Sequence, residues 1–195
     1  MLKPVRTVAP AADLFDLATI KAHCRIETDE DDTLLATYRD AATRHLDGWS
    51  GILGRCLVNQ TWRIALADWP ACGDIRLPFP DVSSVTVTYY DANNAEQTVN
   101  AALYELLEDE RGGIVRFLDA FTQPGVYGDR TDAVRVTLVA GYGAAASAVP
   151  APVVVAAMML TAHWYASREA AAAGAMQTVP LAVETLTTPY RRGRI

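Results

Sequence analysis

The hydrophobic period of this chain changes twice, and that change restricts the fold more than any other feature. From residue 16 to residue 51 apolar side chains recur at steps of three and four; from 60 to about 141 they alternate; from 150 to 173 they are nearly continuous. Steps of three and four build a helix with one buried stripe, and alternation builds a strand with one buried face. The predicted order is therefore helices, a β block, one apolar helix and a tail.

In the first region, "DLATIKAHCRI" places Leu17, Ile20 and Cys24 on one helical face, with Asp16 suited to the N-cap. "ETDEDDTLLATYRDAATRHLDGWSG" predicts a second helix capped by Thr28 or Asp29. Its acids Glu30, Asp31 and Asp32 fall in the first turn, where the helix dipole favours negative charge. Leu34, Leu35, Tyr38, Ala42, Leu46 and Trp49 form the apolar stripe, and Gly48 and Gly51 end it.

In the middle region, "QTWRIAL" and "DAVRVTLVAGYG" alternate as half-buried strands. "SSVTVTYYDANNAEQTV" predicts a hairpin turning at Asp91, Asn93 and Asn94, and "ALYELLEDERGGIVRFL" a second one turning at Gly112 and Gly113. In the last region, Pro150 and Pro152 open "VPAPVVVAAMMLTAHWYASREAAAAG" and Gly174 closes it. Its unbroken apolar stretch runs only from Val153 to Leu160, short of the roughly 20 residues a membrane span needs, so a buried helix is expected. A helix this apolar is covered on several sides. A second copy of the chain is expected to supply part of that cover, with Met158, Met159, Trp164, Tyr165 and Arg168 as the candidate contact residues.

The fold class expected is α+β. It comprises a helical body of two N-terminal helices (about 16–51) plus a long apolar C-terminal helix (about 150–173), an inserted antiparallel β block (about 60–141) and a C-terminal docking tail. A single domain over 1–174 and a tail over 175–195 are expected, since 195 residues suit one ordinary domain with an appendage.

Composition narrows function mainly by exclusion. A net charge of −6 disfavours a free-standing nucleic-acid binder. Cys24, Cys56 and Cys72 are odd in number and widely spaced, which reads as buried reduced thiols. The start, "MLKPVRTVAPAAD", lacks the apolar core of a signal peptide. Asp29, Asp31 and Thr33 stand at calcium-loop spacing, but Leu34 occupies the place of the turning glycine and Asp40 that of the closing Glu. "GWSGI" misplaces the last glycine of a nucleophile elbow, and "GYG" at 141–143 lacks the Lys-Ser/Thr of a phosphate loop. His23, His45 and His163 show no chelating spacing. No catalytic site, metal or cofactor is expected.

The tail "PLAVETLTTPYRRGRI" combines apolar Leu181, Val183 and Leu186 with Pro189 and Tyr190, then Arg191, Arg192 and Arg194. Fully solvated tails are poor in such apolar residues, and arginines suit carboxylates on a partner. A docking peptide, mobile until bound, is expected.

These segments together resemble the head–tail connector (adaptor) proteins of long-tailed double-stranded DNA phages and of phage-derived gene transfer particles. The residues that carry the resemblance are Leu17, Lys21 and Arg25; the acids 29–32; Ser50 and Gly51; Gln60, Thr61 and Trp62; Val149, Pro150, His163, Trp164, Tyr165, Arg168 and Glu169; and the final "VPLAVETLTTPYRRGRI", which is similar to the family's tail of Leu-Pro, a short apolar helix and Pro-Tyr-Arg. Cys24 departs from the Leu common there. The resemblance implies a non-enzymatic ring, usually a dodecamer, beneath the portal protein. It implies a tail that binds the portal, stopper and tail proteins downstream, and double-stranded DNA that passes without sequence-specific binding. It places the chain in the neck of a virion or phage-like particle assembled in the bacterial cytoplasm, with no membrane. The rival readings are another neck protein (a stopper or tail terminator), an enzyme with a scattered site, or a small-ligand β module using Tyr89, Tyr90, Tyr104 and Tyr142.

Overall fold

The computed structural model describes residues 1–71, 73–167 and 181–192. The chain is α+β and forms two compact units. One comprises Met1–Ala11 with Asn59–Tyr142; the other comprises Ala12–Val58 with the chain from Gly143 onward.

The β unit holds two antiparallel sheets. Strands β1 (Val5–Val8), β2 (Gln60–Leu66), β4 (Val82–Tyr90), β5 (Glu96–Thr98) and β8 (Val134–Ala140) form the larger, ordered β1-β2-β8-β4-β5. Strands β3 (Asp74–Arg76), β6 (Tyr104–Asp109) and β7 (Gly112–Phe117) form the smaller, ordered β3-β7-β6. The alternation in β2 and β8 turns Trp62, Ile64, Val136 and Leu138 inward, with Trp62 opposite Leu138 and Ile64 opposite Val136. Trp69 ties the sheets together: its ring meets Tyr89 of β4 at 5.5 Å and Phe117 of β7 at 5.7 Å between centroids. Its indole N–H donates to the Pro124 carbonyl at 2.8 Å.

Both hairpins form, and the structure refines their turns. At β4–β5 the Asp91 carboxylate accepts from the backbone N–H groups of Asn93 and Ala95 and from the Gln97 amide, and Asn94 takes a φ of 61°. At β6–β7, Asp109 pairs with Gly112, so the turn residues are Glu110 and Arg111, and Gly113 lies within β7. A Cβ on Gly113 would meet Leu77 at 3.0 Å, so that glycine serves a close approach. The β block is not wholly an insertion, because β1 precedes the helices in sequence and pairs with β2.

The helical unit contains α1 (Leu17–Cys24), α2 (Asp32–Leu46), α3 (Ala151–Ala166) and α4 (Leu181–Thr187). Asp16 caps α1, accepting from the Thr19 N–H at 2.7 Å. The N-cap of α2 is Asp31, not Thr28 or Asp29, and it makes no side-chain cap bond. Leu35, Ala42 and Leu46 form the buried stripe of α2. The helix ends at Leu46, and Gly48 turns the chain at φ 75°.

The expected long apolar C-terminal helix is corrected. The C-terminal helices are short: α3 has 16 residues and ends at Ala166, and α4 has 7. The buried residues of α3 run from Val153 to Thr161, and after its last turn Ser167 leaves the helical conformation with its N–H on the His163 carbonyl at 3.0 Å. Tertiary burial sustains a helix more than intrinsic propensity does, and the last buried residue of α3 is Thr161. Residues 168–173, where the rest of that helix was expected, lie outside the described residues.

Candidate interaction surfaces

The first helices are clasped by charge. The Lys21 ammonium binds the carboxylates of Asp29 and Asp32, the latter at 2.8 Å, which raises the Lys21 pKa. Its hydrogen bond to Asp29 lowers the pKa of that carboxyl. Arg25 takes a left-handed φ of 57° and closes α1 through its backbone N–H. The Lys-x-x-x-Arg spacing followed by acids thus shapes the turn between α1 and α2. Within the run 29–32 a third acid, Asp31, accepts from the Tyr165 hydroxyl at 2.6 Å. Among the described residues, no three His, Cys, Asp or Glu side chains are grouped to hold a metal ion. No described helix is long and apolar enough to cross a membrane.

The structure separates the five candidate contact residues of the apolar helix. Trp164 and Tyr165 bolt α3 to α2 of the same chain: Trp164 meets His45 edge-on at 5.8 Å, and Tyr165 meets Tyr38 at 6.5 Å. Met158 and Met159 are half-buried, and Arg168 lies outside the described residues. Among the large apolar side chains of α3, Val155 is the exposed one, at 38%. No sequence signal singled it out, because every neighbour in "PVVVAAMML" is equally apolar.

Residues 181–192 of the expected docking tail are seated on their own helical unit. α4 packs against α3. Val183 is fully buried, Thr187 nearly so, and the Thr187 hydroxyl donates to the Val183 carbonyl at 2.8 Å. The Arg192 N–H donates to the Leu53 carbonyl at 2.8 Å. Beside it Gly54 has a φ of 64°, and a Cβ there would lie 3.5 Å from the Arg192 carbonyl oxygen. Among the predicted docking residues, Leu181 is 77% exposed, Pro189 and Arg191 are exposed, and Leu186, Tyr190 and Arg192 are half-buried. Arg194 lies outside the described residues. Val183 is thus an anchor for the segment, and the outward surface comprises Leu181, Pro189 and Arg191.

The tyrosines of the β unit are engaged in packing. Tyr89 meets Trp69, and Tyr104 meets Phe117 at 6.1 Å and donates its hydroxyl to the Val85 carbonyl at 3.2 Å. Tyr90 lies beneath two guanidinium groups, with Arg130 at 3.6 Å and Arg135 at 4.7 Å from its ring centre. Hydrogen bonds from Arg130 and Arg135 hold the Asp132 carboxyl at a pKa of about 2. Sequence reading missed β1 altogether. "VRTV" is only four residues long, and all four are exposed.

Residues 15–105 match the sequence model of the phage gp6-like head–tail connector protein family. No curated protein sequence matches significantly. Among solved structures, a chain in the neck of an empty gene transfer agent (GTA) particle, computed with C6 symmetry, is similar with a TM-score of 0.80 and 28% identity, covering 100% of this chain and 97% of that one. A chain from the virion of a native GTA particle gives 0.78 and 26%, with the same coverage. One from the neck of the native particle, computed with C12 symmetry, gives 0.77 and 25%, again over 100% and 97% of the two chains.

Proposed function

We infer from the premise that this chain is a phage-like head–tail connector protein, by the sequence signature of residues 15–105 and by its fold, that it works as the adaptor ring between a DNA-filled capsid and its tail. Its role is structural rather than catalytic. The observation that carries the reading is the match along the whole chain to proteins of a particle neck.

In this reading copies of the chain form a ring beneath the portal protein, twelve of them as the C12 neck suggests, and continue the DNA channel toward stopper and tail proteins. Different faces of neighbouring copies meet, which is the contact type that closes by rotation. Val155, Met158 and Met159 of α3 offer one such apolar face. The net charge of −6 suits a conduit, because DNA passes without the many phosphate contacts that cause tight binding. The tail presents Leu181, Pro189, Tyr190 and the arginines to the portal. One copy alone binds weakly, and the ring multiplies the effect through avidity. Assembly belongs to the bacterial cytoplasm, and the finished location is the neck of a virion or phage-like particle.

The test is electron microscopy of particles made without the chain, and with a chain lacking 181–195. The expected outcome is DNA-filled heads without tails in both cases. Tailed particles at normal yield from cells lacking the chain would overturn the adaptor reading.

A further inference from the structure

We propose that the open edge of β1 in one copy pairs with the open edge of β6 in the next copy of this chain, so that strand addition joins neighbouring β units. This rests on the ring reading above and names a contact within that ring.

β1 is the outermost strand of the larger sheet, and β6 is an outermost strand of the smaller one. An outermost strand leaves a row of backbone N–H and C=O groups unpaired, and proteins usually shield such a row by shortening, charging or covering it. β1 is poorly shielded. Val5 is 52% and Val8 57% exposed, and Met1 and Leu2 before them are 64% and 48% exposed, which is the densest run of exposed large apolar side chains among the described residues. The charge on β1 does not block the edge either, because the Arg6 guanidinium reaches back to the Gln60 side chain at 3.4 Å.

Three other edges could receive β1, and charge and length select β6. β5 and β3 have three residues each, too few to span the four of β1. β6 has six residues, enough to span the four of β1. Its face carries exposed Glu105 and half-buried Leu107, which stands opposite Ile114 of β7. Glu105 opposes the exposed Lys3 that leads into β1, while Leu107 and Ile114 offer apolar cover for Val5 and Val8. An edge that met its own copy would give a closed dimer; two different edges give a head-to-tail contact, the kind that makes rings. Strand addition gains affinity from main-chain hydrogen bonds and register from alternate side chains.

The test uses particles from cells that make a Val5→Cys, Leu107→Cys chain in place of the parent, treated with a short bismaleimide that tolerates small register differences. Covalent multimers are expected from the double variant, and none above background from the parent or either single variant. Tailed particles that hold the chain in the neck but yield no multimers would overturn the strand pairing while the adaptor reading stood. Absence of the chain from the neck would overturn both. A second arm does not depend on cysteine tolerance: Lys3→Glu and Glu105→Lys are each expected to reduce the yield of tailed particles, and the combination to restore it. Unchanged yield from both single reversals would overturn the pairing.

Discussion

Gly51 is the residue whose identity the backbone dictates most strictly. A Cβ there would stand 2.4 Å from the carbonyl oxygens of both Leu46 and Asp47, at the point where α2 ends and the chain doubles back. The same turn is held by the Asp47 carboxylate, which accepts from the Leu57 N–H at 2.7 Å. Gly51→Ala is therefore expected to cost at least about 2 kcal/mol, the range of backbone clashes in a packed turn, and to lower Tm by about 5 °C or more. An unchanged calorimetric transition would contradict this account. Asp132 makes a pH prediction of definite sign. Bonds from Arg130 and then Arg135 lower its pKa from 3.8 to about 2 in the folded chain. The unfolded chain takes up a proton first as pH falls, so the stabilisation is present above about pH 4 and fades toward pH 2. Asp132→Asn is expected to be less stable at neutral pH and to show a shallower loss of stability between pH 4 and 2. Parallel acid unfolding curves for variant and parent would refute the assignment.

Among the elements, α4 divides its residues between two tasks. Val183 is fully buried and Leu181 is 77% exposed, two residues apart on one short helix. Val183→Ala is expected to destabilise by about 2 kcal/mol, the cost of losing most of a buried valine. Leu181→Asp is expected to leave Tm within error yet to reduce head–tail joining. Chemical denaturation of both variants, alongside counts of tailed particles, separates the tasks; equal stability losses would show that α4 is only a packing element. For α3 the discriminating position is Val155, exposed where Trp164 and Tyr165 are held by α2 of the same chain. Val155→Glu is expected to fold normally, by circular dichroism and Tm, and to prevent ring assembly. Normal assembly would move the ring contact off α3.

At the scale of the whole molecule, charge is distributed against the average. The chain carries −6 overall, while residues 190–195 hold three arginines and no acid. An exposed attraction of this kind weakens as salt screens it. Replacing Arg191, Arg192 and Arg194 together by Glu is expected to lower the yield of tailed particles most at low salt, with the deficit relative to the parent shrinking as salt screens the charges. A yield independent of salt would remove charge from the docking account.

The sequence by itself determined the order of elements and their types. A period of three to four or of two is written in local spacing, so α1, α2, β2, both hairpins, β8 and the start of α3 were legible. The connector resemblance was legible too, because it rests on residue types in order. Tertiary structure decided the rest. Nothing in "VRTV" announces a strand; β1 exists because β2 offers it an edge. The apolar helix reads as running from Pro150 to Gly174, yet α3 ends at Ala166, past its last buried residue, Thr161. The seat of α4 on α3, and of Arg192 on Leu53, is not written in the tail's own residues, because only the folded chain shows a site for Val183. Trp164 and Tyr165 are half-buried, and their partners in the same chain, His45 and Asp31, lie more than a hundred residues earlier, where local spacing does not reveal them. Spacing along a chain encodes which side chains share a face, and only the assembled fold determines what lies opposite that face.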